Sequence, residues 1–177
     1  MREGQSVLPY ALCLASLCAC GNPDPSTFAA RVDPPVTSFT IGASGGMVVS
    51  GDGTSVSIPQ GALTQDVTIT IMANPYAPAL TQAQPLAVAH QFGPEGQKFL
   101  KPVTVLLEFA PGSLPPGATE QGVAVYSAPS DSNFYQSLET QIADATHVTA
   151  VTSEFCNMYP GANGGGTVQL SAPVHFH

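Results

Sequence analysis

Histidine and cysteine are among the residue types of this chain that could take part directly in chemistry. The four histidines are His90, His147, His175 and His177. His175 and His177 are two positions apart, so in an extended chain both imidazoles point to the same side and could bind a metal ion. Two ligands near a chain end do not complete a site, and no cysteine or acidic residue lies beside them. We therefore expect no metal and no other cofactor, and we interpret the pair as part of a partly exposed terminal tail.

The sequence lacks two motifs that position a metal or a phosphate in many enzymes. It contains no His-Glu-x-x-His and no glycine-rich phosphate loop. Acidic residues are scattered, whereas a calcium loop needs several carboxylates at close spacing. Asp52 lies between two glycines and is interpreted as a turn residue rather than a calcium ligand. The sequence thus predicts a protein that is not an enzyme.

Three of the four cysteines are crowded behind a short apolar run at the N-terminus. The run covers residues 7–17, about the length of a signal-peptide core and too short to span a bilayer. The sequence Leu17-Cys18-Ala19-Cys20-Gly21 that follows resembles a bacterial lipobox. The resemblance implies that residues 1–19 are a lipoprotein signal peptide, that Cys20 carries a diacylglyceryl group, and that its amine is acylated, for instance with palmitate. Several acyl chains anchor a protein stably to a membrane, where one chain is marginal.

The alternative is an ordinary secretory signal cleaved nearby, which would release a soluble secreted protein. Cleavage before Cys20 leaves Cys20 and Cys156, and acylation of Cys20 then leaves Cys156 as an unpaired thiol even in an oxidising compartment. We expect Cys156 to be a small buried side chain. Because residue 21 is glycine rather than aspartate, membership of the lipoprotein class implies sorting to the outer membrane.

Prolines are frequent in residues 20–38, the segment that follows the lipobox. They lie at Pro23, Pro25, Pro34 and Pro35. Such proline density favours an extended, semi-rigid chain. We predict that this segment is a tether that lifts a folded domain away from the membrane.

Charge and composition restrict the partners of that domain. The net charge is −8, and only four residues are Lys or Arg. Binding of nucleic acid requires a positive surface that neutralises phosphates, so no nucleic-acid partner is expected. Electrostatic docking to anionic lipid is not expected, for the same reason. Hydrophobic residues make up 44 % of the chain, enough for a packed core.

Short alternating runs separated by turn residues occupy most of the chain after residue 38. Residues 47–50 and 54–58 flank Gly51-Asp52-Gly53, which is a strong hairpin signal. His90 lies on an apolar face and is expected to be a hydrogen-bonded core or edge residue. Three runs each place apolar side chains on one face: Val67, Ile69 and Ile71; Leu86, Val88, His90 and Phe92; and Val103, Val105, Leu107 and Phe109.

Further candidate strands cover residues 122–127, 134–138 and 148–152. No window has a capped apolar stripe of helical period, so helices should be few and short. The spacing of the strands predicts an all-β fold, an antiparallel β-sandwich over residues 39–159. Residues 160–177 contain Gly164-Gly165-Gly166 and are predicted to be a glycine-rich linker and C-terminal tail.

Turn residues over about 41–110 resemble those of the ZU5 domain family. The first part of the resemblance is Gly45-Gly46-Met47-Val48, Asp52-Gly53-Thr54 and Ile58-Pro59-Gln60-Gly61-Ala62-Leu63. The second part is Phe92-Gly93-Pro94-Glu95-Gly96, Phe99 and Lys101-Pro102-Val103, with weaker similarity as far as Tyr159. The resemblance implies a β-sandwich that serves as an interaction module. Fold similarity does not identify the partner.

The same resemblance draws attention to Glu154-Phe155-Cys156. Some ZU5-containing proteins carry His-Phe-Ser near the end of this domain and cleave themselves there, the hydroxyl attacking the preceding carbonyl. Here Phe155 is kept, while Glu154 replaces the histidine and Cys156 replaces the serine. A thiol could perform the same acyl shift with help from a carboxylate. The alternative is a strand end at which Phe155 and Cys156 are packed.

The function predicted from these observations is that of a non-enzymatic cell-envelope lipoprotein whose ZU5-like β-sandwich is a binding or structural module. Its expected partners are the membrane, through the N-terminal lipid, and another envelope protein or a polysaccharide. The loop 113–119 is one candidate contact surface. The two alternatives are a self-cleaving domain that uses Cys156 and a released secreted protein.

Overall fold

The computed structural model describes residues 33–163. The predicted signal peptide, the lipidation site Cys20 and most of the predicted tether lie outside the described residues. So do the glycine-rich segment that begins at residue 164 and the terminal pair His175 and His177.

The described chain forms two antiparallel sheets, which confirms the predicted all-β sandwich. The first sheet has the order β1-β4-β6-β12-β8-β9, with β5 also paired to β12, and the second has the order β10-β11-β7-β3-β2. Two short 3-10 helices, Pro111–Ser113 and Glu120–Gly122, are the helices of the described residues. The strands are β1 Val36–Ile41, β2 Gly46–Val49, β3 Ser55–Ile58, β4 Val67–Asn74, β5 Gln84–Pro85, β6 Ala89–Gly93, β7 Lys98–Glu108, β8 Val123–Ala128, β9 Gln136–Ser137, β10 Glu139–Ile142, β11 His147–Glu154 and β12 Asn157–Ala162.

The core lies between the sheets and is filled by alternate residues of the long strands. In β4, Ile69 and Ile71 are fully buried, as their alternation predicted. In β7 the predicted face is buried as well, from Val103 to Phe109. Burial of each such side chain contributes about 1.5–3 kcal/mol, which makes this face the main source of stability.

The predicted hairpin at residues 51–53 is confirmed. It joins β2 to β3, and Val49 pairs with Ser55. The Ser50 N–H donates to the Thr54 carbonyl over 2.8 Å, and Gly53 has a φ of 92° that an L side chain rarely adopts. Asp52 has the predicted turn role, because its Oδ1 accepts the Thr54 N–H at 3.0 Å.

The predicted common face of residues 86–92 is wrong at Val88, whereas Leu86, His90 and Phe92 are buried as predicted. Val88 is exposed and β6 begins only at Ala89. The reason is an irregularity between β5 and β6: the Leu86 N–H donates to the Pro160 carbonyl of β12 at 2.9 Å and His90 pairs with Met158, so residues 87–89 lie opposite one residue of β12. Because β6 is a central strand with both faces covered, neighbouring residues are buried there. The outer face packs into a second apolar cluster, which comprises Leu80, Ala89, Tyr126, Ala128, Tyr135 and Tyr159.

The predicted strand at residues 134–138 is divided. Phe134 is exposed, and the chain changes sheets at Leu138, between β9 in the first sheet and β10 in the second. The Leu138 N–H donates to the Val125 carbonyl over 2.8 Å, which fixes the crossing point. A run of apolar and polar residues does not reveal such a change of sheet.

Both boundaries of the predicted sandwich lie inside the observed strands. The strand β1 begins at Val36, within the predicted tether, and β12 continues to Ala162, within the predicted linker. Pro160 fits in β12 because the hydrogen bond with Leu86 uses only its carbonyl. Glycine fits at position 161 because the Cβ atom of any other residue would lie 2.8 Å from Leu80 Cδ2. The linker prediction for residues 160–162 is therefore wrong, since close packing rather than flexibility explains these residues.

Candidate functional site

The Phe155–Cys156 junction lies where the chain crosses from the second sheet to the first. β11 ends at Glu154 and β12 begins at Asn157. Three backbone hydrogen bonds hold the junction. The Phe155 N–H donates to the Gln97 carbonyl at 3.1 Å, the Gly96 N–H donates to the Phe155 carbonyl at 2.9 Å, and the Phe92 N–H donates to the Cys156 carbonyl at 3.2 Å.

Phe155 is fully buried at the centre of an aromatic cluster. Its ring centroid lies 4.7 Å from that of Phe99, in an edge-on arrangement, and 5.7 Å from that of Phe92. Such pairs add about 0.5–1.5 kcal/mol beyond burial alone. The packing predicted for Phe155 is confirmed, and the cluster joins β6, β7 and the crossing between β11 and β12.

Cys156 differs from the expected buried side chain, because it is partly exposed. It lines a shallow cleft of about 290 Å³ together with Glu154, Thr152 and the exposed ring of Phe134. Burial raises the pKa of the thiol, and the Glu154 and Glu95 carboxylates raise it further, against a hydrogen bond with Ser127. The thiol is thus held in its protonated form at neutral pH.

This geometry supplies part of what an acyl shift at Phe155–Cys156 would need. The N–H of Gly96 already polarises the carbonyl that the thiol would attack. The nucleophile would have to be a thiolate, and the carboxylates near Cys156 disfavour the thiolate. Self-cleavage with Cys156 stays a prediction.

A second cluster, which the sequence did not reveal, joins the two sheets at the end that carries the 51–53 hairpin. His90 Nε2 lies 2.6 Å from Asp52 Oδ2 and 3.2 Å from the hydroxyl of Thr54. Thr54 is fully buried and His90 is 6 % exposed, which confirms His90 as a hydrogen-bonded core residue. Since β6 belongs to the first sheet and the hairpin to the second, we name Asp52, Thr54 and His90 the inter-sheet clasp.

The clasp differs from a catalytic triad. Both the carboxylate and the hydroxyl meet the same ring nitrogen, Nε2, whereas a triad uses both nitrogens. His90 Nδ1 is buried without a partner. Burial raises the pKa of Asp52, but hydrogen bonds from His90 and the Thr54 N–H, with the charge of His90, outweigh it and lower the pKa overall. This arrangement suits a structural tie between the sheets.

A second aspartate–histidine pair lies close by on the surface. His147 Nδ1 is 2.9 Å from Asp144 Oδ1, and the Thr146 N–H donates to the same oxygen at 2.8 Å. The Thr146 hydrogen bond, followed by that of His147, lowers the pKa of Asp144 to about 2. Unlike the clasp, this pair lies within the connection from β10 to β11, with Asp144 in the turn and His147 as the first residue of β11.

The two ends of the sandwich present different surfaces. The loop 113–119 lies at the end of the clasp, and its Leu114 and Ala118 pack against the core, so Pro116, Gly117 and Thr119 form its exposed part. At the opposite end Leu100 is 72 % exposed. Within residues 33–163, the basic side chains are Lys98 and Lys101, which flank it.

Part of this sandwich matches a known protein family. Residues 37–120 match the model of the ZU5 domain family. The chain contains a ZU5 domain. The match covers β1 to the second 3-10 helix and includes the clasp and Leu100, whereas the Phe155–Cys156 junction lies beyond it. No curated protein matches the chain.

The ZU5 match extends the predicted range of 41–110 at both ends and confirms the resemblance. Among residues 33–163, the structure has no helix with the length and apolar character needed to cross a bilayer.

Proposed function

We propose that this protein is a non-enzymatic lipoprotein of the cell envelope, anchored in the outer membrane through acylated Cys20, whose ZU5 domain binds another envelope protein. The lipobox-like sequence before Cys20 supports the anchor. The match to the ZU5 family at residues 37–120 supports an interaction role, because the resemblance to this family implies an interaction module.

The path of the chain indicates which surface faces the partner. β1 starts at Val36, opposite Met72, and runs to Ile41, opposite Val67. The chain therefore arrives near the end that carries the clasp, and the loops 59–66 and 94–97 lie at the other end. β1 therefore starts at the end of the domain opposite these loops.

The predicted tether is long enough to hold the domain away from the membrane surface. Cys20 and Val36 are 16 positions apart (36 − 20), and an extended proline-rich segment spans about 50 Å over that length. The domain can thus reach components well beyond the lipid headgroups.

The observation that carries the proposed contact surface is the exposure of Leu100. A leucine that is 72 % exposed, with lysines at positions 98 and 101 and with Glu154 opposite Lys98, offers an apolar contact bordered by charged side chains of both signs. Such a surface suits a partner that presents an apolar residue beside polar or acidic groups able to pair with Lys98 or Lys101. We name Lys98, Leu100 and Lys101 the distal surface.

Photo-cross-linking in native envelopes tests the distal surface. A photoreactive residue at position 100 should capture a discrete protein band, and Lys98→Glu in the same chain should weaken the capture. The matched control places the photoreactive residue at Thr119, in the loop 113–119. Capture from Thr119 and not from position 100 would move the contact to the other end. A product sensitive to glycosidases and resistant to proteases would replace the protein partner with a polysaccharide.

A further inference from the structure

A cleft opens between the two sheets beside the inter-sheet clasp. Its volume is about 480 Å³, within the range of about 300–1,000 Å³ that is typical of sites for small ligands. The first sheet forms one wall, through β4, β6 and the segment 86–88 that precedes β6. The hairpin residues 52–54 and the end of β7 form the facing wall. The cleft therefore lies at one end of the core, between side chains of both sheets.

Apolar side chains supply more than half of this lining. Leu86 and Phe109 are buried, whereas Val88 is 48 % exposed. The irregularity between β5 and β6, which brings Val88 out of the predicted face, thus contributes part of one wall. The remaining apolar residues of the lining are Ala73, Ala87 and Ala110. Walls of this kind favour a ligand with a hydrocarbon stem.

The polar part of the lining is rich in hydrogen-bond acceptors. Asp52 and Glu108 present carboxylates, which only accept. Since His90 Nε2 lies 2.6 Å from Asp52 Oδ2, this nitrogen carries the proton of the neutral ring, and Nδ1 is left as an acceptor. His90 is 6 % exposed and its Nδ1 is buried without a partner. Such a lining favours a ligand that donates hydrogen bonds over one that accepts them.

The carboxylates of the cleft have no lysine or arginine beside them among residues 33–163. Lys98 and Lys101 lie at the start of β7 and Glu108 at its end. Seven positions of extended strand (108 − 101) span about 23 Å, and charges so far apart are screened at physiological ionic strength, where the Debye length is about 8 Å. His147 lies opposite Glu108, but its Nδ1 is 2.9 Å from Asp144 Oδ1. A positive charge at the cleft must therefore come from a ligand.

We propose that this cleft binds a primary ammonium group carried on an aliphatic stem. The ammonium has a positive charge and three donors, which complement the carboxylates of Asp52 and Glu108. The stem complements the apolar walls at Leu86, Val88 and Phe109. A free alkylamine and a lysine side chain of another protein share this chemistry. The site is separate from the distal surface, which lies at the other end of the sandwich.

Three probes with one stem and different head groups test the proposal. Butylammonium, butanol and butyrate each have four carbons, and nuclear magnetic resonance of the ¹⁵N-labelled full chain, in a detergent with an uncharged head group, follows their binding. Butylammonium should shift the backbone amides of Thr54, Val88 and His90 in a saturable manner. Butanol should bind more weakly and butyrate should not bind. Added salt should weaken the binding of butylammonium and not that of butanol. The amide of Leu100 is the internal reference.

Three variants assign the binding to the cleft. Glu108→Gln should weaken the binding of butylammonium about three- to fivefold, as expected for a partly exposed ion pair, and leave butanol unchanged. Glu139→Gln removes an exposed carboxylate from β10 as the matched control and should change neither. Ala110→Phe places a ring at an exposed position of the lining and should abolish the binding of both probes. Its melting temperature shows whether the fold is kept, and Glu108→Gln provides the test if it is not.

A capped peptide with a single central lysine distinguishes the two sources of the ammonium. Shifts of the same amides by this peptide would support a lysine side chain as the ligand, and shifts by butylammonium alone would support a free amine. The absence of a saturable shift with butylammonium, equal affinity for butylammonium and butyrate, or binding that survives in folded Ala110→Phe would each overturn the proposal. None of these outcomes bears on the Cys20 anchor or the distal surface.

Discussion

Replacing His90 with alanine tests whether the inter-sheet clasp holds the ZU5 domain closed at one end. The substitution removes the hydrogen-bond partner of Thr54, whose hydroxyl is fully buried. A buried hydroxyl without a partner costs about 1–3 kcal/mol. Loss of imidazole packing adds to this, so we expect a total loss of about 2–4 kcal/mol. The corresponding fall in melting temperature is roughly 5–15 °C.

Urea unfolding measures this loss. The chain has no tryptophan, so the fluorescence of its five tyrosines or the far-ultraviolet circular dichroism reports the transition. The midpoint should fall with an unchanged slope, as expected for a loss of stability without a change in the surface exposed on unfolding.

Two further variants separate the clasp from a general effect of losing a histidine. His147→Ala removes the histidine of the exposed pair with Asp144 and should lower the midpoint much less. Thr54→Val in the His90→Ala chain replaces the orphaned hydroxyl with a methyl group and should restore part of the stability. Equal losses for His90→Ala and His147→Ala, or no recovery with Thr54→Val, would refute this account of the clasp.

Three other predictions follow from single contacts. Because the pKa of Asp52 is lowered in the folded chain, its carboxylate stabilises the fold at pH values above the ordinary carboxyl pKa of 3.8, and this contribution is lost as the pH falls through the lowered pKa. Asp52→Asn should therefore flatten the acid limb of a plot of stability against pH. An unchanged acid limb would contradict this. Gly161→Ala should lower the free energy of unfolding by about 1–3 kcal/mol in urea, because its Cβ would lie 2.8 Å from Leu80 Cδ2 and 3.1 Å from the ring of Tyr126. An unchanged free energy of unfolding would show that these two side chains move aside without cost. Alkylation of Cys156 should require a higher pH in the folded chain than in the same chain unfolded in guanidinium, since burial raises the thiol pKa, and coincident pH profiles would disprove it.

The features that the sequence predicts well are those determined by neighbours along the chain. Alternation in β4 and β7 identified the buried faces, because each side of a strand faces either the core or solvent. The hairpin at residues 51–53 is likewise local, since Gly53 supplies the positive φ that the turn requires. The ZU5 turn residues belong to the same class.

The features that the sequence does not predict are those determined by distant pairing. Pro160 and Gly161 have the composition of a linker, yet the carbonyl of Pro160 and the missing side chain of Gly161 fit a central strand. Val88 fits the period of its run, but it lies in an irregularity between Leu86 and His90, the two points at which the chain bonds to β12. Neither the composition of a segment nor its apolar period indicates the contacts of Pro160 with Leu86 and of Gly161 with Leu80, because the partners lie more than seventy positions apart in the sequence.

The clasp was predictable only in part. An isolated histidine on an apolar face indicates that His90 must find a hydrogen-bond partner. Its partner Asp52 lies 38 positions away, and the turn role of Asp52 explains that residue without any reference to His90. The distal surface was missed although alternation indicates it, since Leu100 shares the outward face of β7 with Thr104 and Glu108.

The intact mass of the protein, extracted with detergent from its native membranes, tests the central proposal most directly. We predict a single species whose mass equals residues 20–177 plus a diacylglyceryl group and an amide-linked acyl chain. An unlipidated mass would contradict the anchor and favour a released secreted protein. A pair of fragments that meet between Phe155 and Cys156 would instead establish self-cleavage and contradict a purely non-enzymatic role.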